Sequence, residues 1–271
     1  MKPAVLVTGA GSGIGLATSL ELARRGRRPL AAVHLEEQQD LVAKAAAHAG
    51  VTVETTVLDV GDPEACAEVV AATPLEALVN AAGYVNAGAV LDVRDEDVRQ
   101  HMEVMTLAPM RLARLALPSL REHGPGRILF IGSILGQMST PLMGWYDGAK
   151  HALEALTDAL RMEVAATGVR VVLVEPGAIR TPIYAKAREE MAGYQSSDAA
   201  AAYRRWSELT RLFEPLFTSP DSVARTVVRA LDADRPHHRY YVGLGAPLAP
   251  LLYNLAPPFV RDAALRFLLR L

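Results

Sequence analysis

The sequence predicts an α/β fold in which a doubly wound parallel sheet carries helices on both faces. Three observations predict it. A short apolar run, Ala4-Val5-Leu6-Val7, leads into a glycine-rich loop, Thr8 to Gly15, and then into Leu16, Ala17, Leu20 and Ala23 at helical spacing. Apolar strand-like runs and helical stretches then alternate along most of the chain, as in a parallel sheet whose strands are buried on both faces. Finally, the glycine loop, Asp59, Asn80, Ser133 and Pro176-Gly177 all fall where a predicted strand ends, and ligands bind at those ends of such sheets.

Each element has its own signal. After the first strand, the glycines permit a tight turn and let a pyrophosphate approach the backbone, while the following helix offers free N–H groups and its positive dipole end. Leu30 to Leu35 reads as the second strand, and Glu36 to Ala49 as a helix stopped by Gly50. Val51 to Val60 is the third strand, Pro63 to Ala72 a helix, and Glu76 to Val79 a fourth strand entering Asn80-Ala81-Ala82-Gly83. Asp95 to His123 is a long helical region with bends expected near Pro109 and Pro118. Arg127 to Ser133 is the fifth strand, Tyr146 to Ala166 a helix ended by Gly168, and Val169 to Glu175 the sixth strand. Beyond Thr181 the rhythm stops. Pro182 to Phe217 is Ala-rich and reads as helices forming a flap. Ser219 or Asp221 caps a helix that runs to about Leu231, and Tyr240 to Leu244 is the seventh strand. The organisation is one domain over 1–271, with a core at 1–181, a flap at 182–218 and a C-terminal extension at 244–271.

The totals narrow the function. Of 271 residues, 28 are basic and 30 acidic, which argues against a nucleic-acid surface. One cysteine, Cys66, excludes an internal disulfide and points to a reducing cytoplasm. The seven histidines include no His-x-x-x-His pair, so no metal site is expected. No stretch reads as a signal peptide or is long enough to span a bilayer.

The chemistry centres on Ser133, Tyr146 and Lys150. Tyr146 and Lys150 lie four apart, so on a helix they share a face. A cation ~4 Å from the phenol at an effective dielectric of ~20 is worth about 4 kcal/mol, roughly three pKa units. That brings a phenol titrating near ~10 into the range of acid–base work at pH 7. Ser133 can hold a substrate oxygen by hydrogen bonding.

These motifs, in this order and with thirteen residues from Ser133 to Tyr146, resemble the short-chain dehydrogenase/reductase family, whose fold is of the Rossmann type. They are Thr8-Gly9-x-x-x-Gly13-Ile14-Gly15, Asn80-x-Ala82-Gly83, Ser133, Tyr146-x-x-x-Lys150 and Pro176-Gly177-x-x-x-Thr181. Val174 to Pro182 and Arg239 to Gly243 most resemble the branch acting on retinoids and hydroxysteroids. The resemblance implies an NAD(P)-dependent oxidoreductase that interconverts a hydrophobic alcohol and its ketone or aldehyde. Tyr146 would be the acid in reduction and the base in oxidation, Lys150 would lower its pKa and hold the nicotinamide ribose, and Ser133 would position the carbonyl. Gly9, Ser12, Gly13, Ile14 and Gly15 would line the pyrophosphate and ribose, and Asp59 and Val60 the adenine. Asn80, Ala81 and Gly83 would pack beside the cofactor. Pro176 and Gly177 would shape the nicotinamide loop, with Ile179 and Thr181 on the carboxamide. A regulator with little turnover, or an epimerase or dehydratase on the same fold, are the alternatives.

Three positions depart from the pattern. Met105 stands where the family has an asparagine whose water joins the lysine to solvent, so the proton would come through another water or Thr106, or turnover would be slow. Ala81 replaces a second asparagine. At the end of the second strand stand Val33 and His34, with no carboxylate to bind a ribose diol. His34 occupies a place where NADP-users often carry arginine, so NADP(H) is favoured over NAD(H), for which Glu36 and Glu37 could serve. An unbound, solvated His34 is the plain alternative.

Met138, Met143 and Trp145, between Ser133 and Tyr146, and Ile183 and Tyr184 of the flap are expected to line an apolar pocket. Leu244 to Pro258 is rich in proline and leucine and cannot be a spanning helix. After it, Phe259, Val260, Ala263, Ala264, Phe267, Leu268 and Leu271 share a helical face flanked by Arg261, Arg266 and Arg270. Packing on the pocket or on a neighbouring subunit is favoured for this helix over a membrane surface. The long helices at 95–123 and 146–166 resemble those that pair subunits in the family, implying a homodimer or homotetramer.

Overall fold

Ala4–Val7 forms β1, an interior strand of the sheet, with all four residues buried. The computed structural model describes residues 2–123, 125–194 and 197–271. β2 (Pro29–Val33) and β3 (Glu54–Val57) lie on one side of β1. The chain then returns across it to β4 (Leu75–Asn80), β5 (Arg127–Ile131), β6 (Arg170–Pro176) and β7 (Arg239–Val242). The order is β3-β2-β1-β4-β5-β6-β7, parallel throughout. The direction of winding reverses between β1 and β4, which opens a crevice at their carboxyl ends.

Side chains of β1 alternate between two cores. Ala4 and Leu6 join Leu78, Leu112, Ile128 and Phe130 on one face. Val5 and Val7 join Leu22, Val79, Val223 and Val227 on the other. The first face is covered by α3 (Pro63–Ala71), α5 (Ala108–Glu122) and α6 (Gly144–Glu163). The second is covered by α1 (Gly13–Arg24), α2 (Glu37–His48) and α9 (Pro220–Asp232). The caps follow the sequence signals. Asp62 accepts from the N–H groups of Glu64 and Ala65, and Ser219 from that of Asp221.

Three expectations are corrected. The third strand is only Glu54–Val57, because it is an edge strand with a single partner. The helical region from Asp95 is not simply bent. It runs as α4 (Asp95–Met102), a π-turn over Glu103–Leu107 and then α5. Pro109 accounts for this, since it has no N–H to return to the Met105 carbonyl four residues back. The proline-rich stretch forms a short helix, α10 (Leu248–Leu255), with Pro250 in the first turn, where a missing N–H costs nothing. In α11 (Pro258–Leu269) the packed side is Leu265 and Leu269, with Leu268 the one member of the predicted face that reaches the cavity. Phe259 and Phe267 are 75% and 88% exposed, because α11 meets α8 (Ala200–Phe213) on its other side.

The flap is α7 (Ile183–Ala192) and α8, with a small core of its own that includes Leu142, Met143, Met191, Tyr203 and Leu269. The Tyr203 hydroxyl accepts from the Ala89 N–H at 2.7 Å and donates to Asp92 at 2.5 Å, fastening α8 to the loop after β4. At the other end of the site, Arg239 meets Glu154 (2.7 Å), Asp158 (3.2 Å) and the fully buried Glu175 (2.9 Å). Glu175 also accepts from the Gln137 amide at 2.6 Å.

Candidate active site

Ser133 leaves the end of β5 and caps a single 3₁₀ turn, Ile134–Gly136, accepting the Leu135 N–H at 3.1 Å. Tyr146 and Lys150 stand one turn apart near the start of α6. The Lys150 ammonium donates to the Ile131 carbonyl at 2.8 Å and lies 5.8 Å from the centre of the Tyr146 ring. All three side chains border one cavity of about 450 Å³.

The electrostatics differ from the simple expectation. Burial pushes the Tyr146 phenol above its ordinary value, with the Ser133 hydroxyl working in the opposite direction. Burial lowers Lys150 to about 8. Desolvation outweighs the neighbouring charge because both groups are withdrawn from water and the ammonium is engaged by a backbone carbonyl. The site therefore holds a neutral phenol, a proton donor, beside an amine that exchanges its own proton at mildly basic pH.

The glycine loop is locked to the loop after β4. Gly9 has φ +65°, and a Cβ there would stand 2.6 Å from the Ala82 Cα. The Thr8 hydroxyl accepts from the N–H groups of Ala81 and Ala82, at 3.0 Å each. Gly15 packs on the Gly9 backbone, and a Cβ on Gly13 would meet the Thr181 methyl at 3.2 Å. Ser12 caps α1 without using its side chain, which leaves the first-turn N–H groups facing the crevice.

Ile14, Ala81 and Gly83 border the cavity on one side. Pro176, Gly177, Ile179 and Thr181 border it on another. Gly9, Ser12, Gly13, Gly15, His34, Asp59, Val60 and Asn80 lie outside it, along the carboxyl edge of the sheet. His34 is exposed, its Nδ1 3.9 Å from a carboxylate oxygen of Asp59. Val60 is buried, and the Asn80 amide is buried with no partner among the described residues.

Of the predicted pocket residues, Met143, Ile183 and Tyr184 line the cavity. Met138 and Trp145 do not, and the Trp145 indole instead donates to the Val90 carbonyl at 3.2 Å. Trp206, Leu209 and Phe213 of α8, with Leu265, Leu268 and Leu269 of α11, complete an apolar wall. Met105 forms part of the floor, its sulfur packed on Gly83. The Thr106 hydroxyl is committed to the Ala149 carbonyl at 3.1 Å and braces α6.

Sequence reasoning missed three side chains. Gln38 lies against Gly11 and accepts the His34 and Leu35 N–H groups at 3.0 and 3.1 Å. Asp147 is 2% exposed and accepts from both the N–H and the hydroxyl of Thr140, at 2.6 and 3.0 Å. His101 is wholly buried behind Tyr146. Asp147 could have been suspected, since a charged residue on the apolar side of a helix needs a partner. His101, alone in a polar stretch, gave no signal.

The family model for short chain dehydrogenases matches residues 3–192. The chain belongs to the short-chain dehydrogenase family. It is an NAD(P)-dependent oxidoreductase that interconverts an alcohol and its carbonyl compound. It is 32% identical to the uncharacterized oxidoreductase YbbO of Escherichia coli (strain K12), over 98% of this chain and 95% of that one. It is also 32% identical to an NADPH-dependent 3-dehydrocapnine reductase of Ornithobacterium rhinotracheale, over 88% and 87%. Among solved structures it resembles a single-substitution variant of actinorhodin polyketide ketoreductase with NADPH, with a TM-score of 0.78, 27% identity and coverage of 91% and 98%. The features of this short-chain dehydrogenase fit a nicotinamide dinucleotide. Gly9 and Gly15 let the loop fold tightly on itself and on Ala82 ahead of the free N–H groups that open α1, and the Asn80 amide, without a partner among the described residues, sits at the end of β4.

Proposed function

We propose that this short-chain dehydrogenase reduces a bulky hydrophobic ketone or aldehyde, and reverses the reaction, with NADP(H) favoured and NAD(H) the alternative. The observation that carries the reading is the single cavity in which Ser133, Tyr146 and Lys150 meet an otherwise apolar wall. Ser133 donates to the carbonyl oxygen. The neutral Tyr146 phenol hands it a proton as negative charge builds there. Lys150, with its pKa near 8, restores that proton. In oxidation the same groups run backwards, and Tyr146 takes the alcohol proton. The bound dinucleotide supplies or accepts the hydride.

Ser12, Gly13, Ile14 and Gly15 would hold the pyrophosphate, Asp59 and Val60 the adenine, and Pro176 to Thr181 the nicotinamide end, with Asn80, Ala81 and Gly83 beside it. His34 and the absence of a carboxylate at Val33 support the phosphorylated dinucleotide, as do the two relatives described with NADPH. The exposed Leu107, at the end of the π-turn before α5, and Leu156 and Met162 on α6 support pairing of subunits along these helices. We place the protein in the cytoplasm. The bare Phe259–Phe267 face of α11 supports contact with a lipid surface as the alternative to packing on a second subunit.

Following reduced-nicotinamide absorbance with a panel of lipophilic ketones tests the reading. Turnover should be faster with NADPH than NADH. Tyr146→Phe should lower it by a factor on the order of 10²–10⁴ while leaving cofactor binding intact. An undiminished rate in that variant refutes the mechanism, and a strong preference for NADH refutes the cofactor assignment.

A further inference from the structure

His101, in the last turn of α4, has no exposed surface. Its ring stands edge-on to Tyr84, centroids 5.1 Å apart, and 6.2 Å from the ring of Tyr146. Among the described residues neither of its nitrogens has a hydrogen-bond partner. Buried polar atoms without partners are rare, because each leaves water without replacement. An imidazole used only to fill the core would therefore be a poor choice beside Val98, Met102 and Val104. Lys150 stands close enough for its charge, together with burial, to hold the imidazole pKa down at about 4. At neutral pH the ring is uncharged, with one nitrogen donating and the other accepting. Lys150 has the complementary deficit. Its ammonium carries three N–H bonds, and the only partner it has among the described residues is the Ile131 carbonyl.

We propose that His101 positions the Tyr146–Lys150 pair, its accepting nitrogen taking a hydrogen bond from the Lys150 ammonium through one buried water. This rests on the Tyr146–Lys150 mechanism above and extends it. One water with polar groups on two sides is the usual way such gaps are filled. The acceptor favours the charged amine over the neutral one, so it keeps Lys150 able to return a proton to Tyr146 after each reduction. The net step is transfer of one proton from Lys150 to the Tyr146 oxygen. His101 remains neutral, and a proton from solvent recharges the amine.

The titratable groups around this pair are few. Tyr84, in the loop after β4, is pushed up to about 12 by burial, with Asp97 and Glu190 adding to the effect. Tyr146 and Lys150 come from α6, and Tyr184 of α7 faces Tyr146 across the cavity, its own phenol pushed up to about 12 by burial and unchanged between the variants. Asp147, on the same helix but bonded into the Thr140 loop, is unaffected by a change at His101 and cancels in a comparison of variants.

The test compares pH–rate profiles for carbonyl reduction by wild type, His101→Phe and His101→Gln. With His101→Phe the basic limb, set by Lys150, moves down by about one pH unit or more, and kcat at pH 8 falls about tenfold. KM and cofactor affinity hold. Gln, which keeps an uncharged acceptor, restores most of both. Basic limbs that coincide in wild type and His101→Phe overturn the proposal, as does a kcat loss that Gln fails to rescue. If His101→Phe does not fold, the unbranched His101→Met carries the same comparison. Failure of the Tyr146–Lys150 reading itself would show separately, as an undiminished rate in Tyr146→Phe.

Discussion

Asp147→Asn should make the protein more stable at alkaline pH and leave it unchanged at acid pH. The Asp147 carboxyl is buried in α6. One oxygen takes both Thr140 donors, while the other has no partner among the described residues. Burial raises its pKa to about 7, against the pull of those two hydrogen bonds. In the unfolded chain the same group titrates near ~3.9. Between the two values the folded state holds a proton that the unfolded state has lost, so stability falls as pH rises from about 4 to about 7 and is level above. Three units correspond to about 4 kcal/mol as an upper bound. At ~2–4 °C per kcal/mol for a chain of this size, that is roughly 10 °C in Tm. Asparagine keeps the volume and an oxygen for Thr140 but never ionises. Melting curves for both proteins from about pH 4 to pH 8.5 should nearly coincide at the acid end and diverge in favour of the variant at the basic end. Burial also raises Glu154, Glu175 and Glu190, but these titrate in both proteins and drop out of the difference. A Tm difference that stays constant across the range refutes the reasoning.

Other perturbations probe the remaining supports of the site. Gly9→Ala places a Cβ 2.6 Å from the Ala82 Cα at a left-handed φ, and should cost at least ~2 kcal/mol together with most cofactor affinity, read by thermal melts with and without dinucleotide. Tyr203→Phe removes one hydroxyl that serves both Ala89 and Asp92, loosening α8 by about 1–3 kcal/mol and raising KM for substrate with little change in kcat. Met105→Asn replaces a side chain packed on Gly83 at the cavity floor. A rise in turnover would show that the thioether limits proton supply, and an unchanged rate would assign Met105 to packing alone.

Strands and glycine loop were legible because their signals are local. β1 is buried on both faces, so it reads as an unbroken apolar run, and Gly9 is demanded by the backbone of Ala82. Ser133, Tyr146 and Lys150 could be read together because four-residue spacing on one helix forces two of them onto one face. What stayed hidden depends on long-range packing. Helical periodicity correctly grouped Phe259 with Phe267 but could not say that α8 would choose the opposite side of α11. Trp145 reads as a pocket wall until Val90, far away in sequence, offers its carbonyl. The π-turn at Met105 was in principle foreseeable from Pro109, but proline in a helix more often predicts a plain kink.

Arg239 joins strand and helix, and through Glu175 and Gln137 the Ser133 loop, while touching no wall of the cavity. Its loss would leave three acids confronting one another with no counter-ion, two of them on α6 and one wholly enclosed. A lesion at that position would therefore be felt as a scarcity of folded molecules in the cell, each surviving copy working at its normal speed.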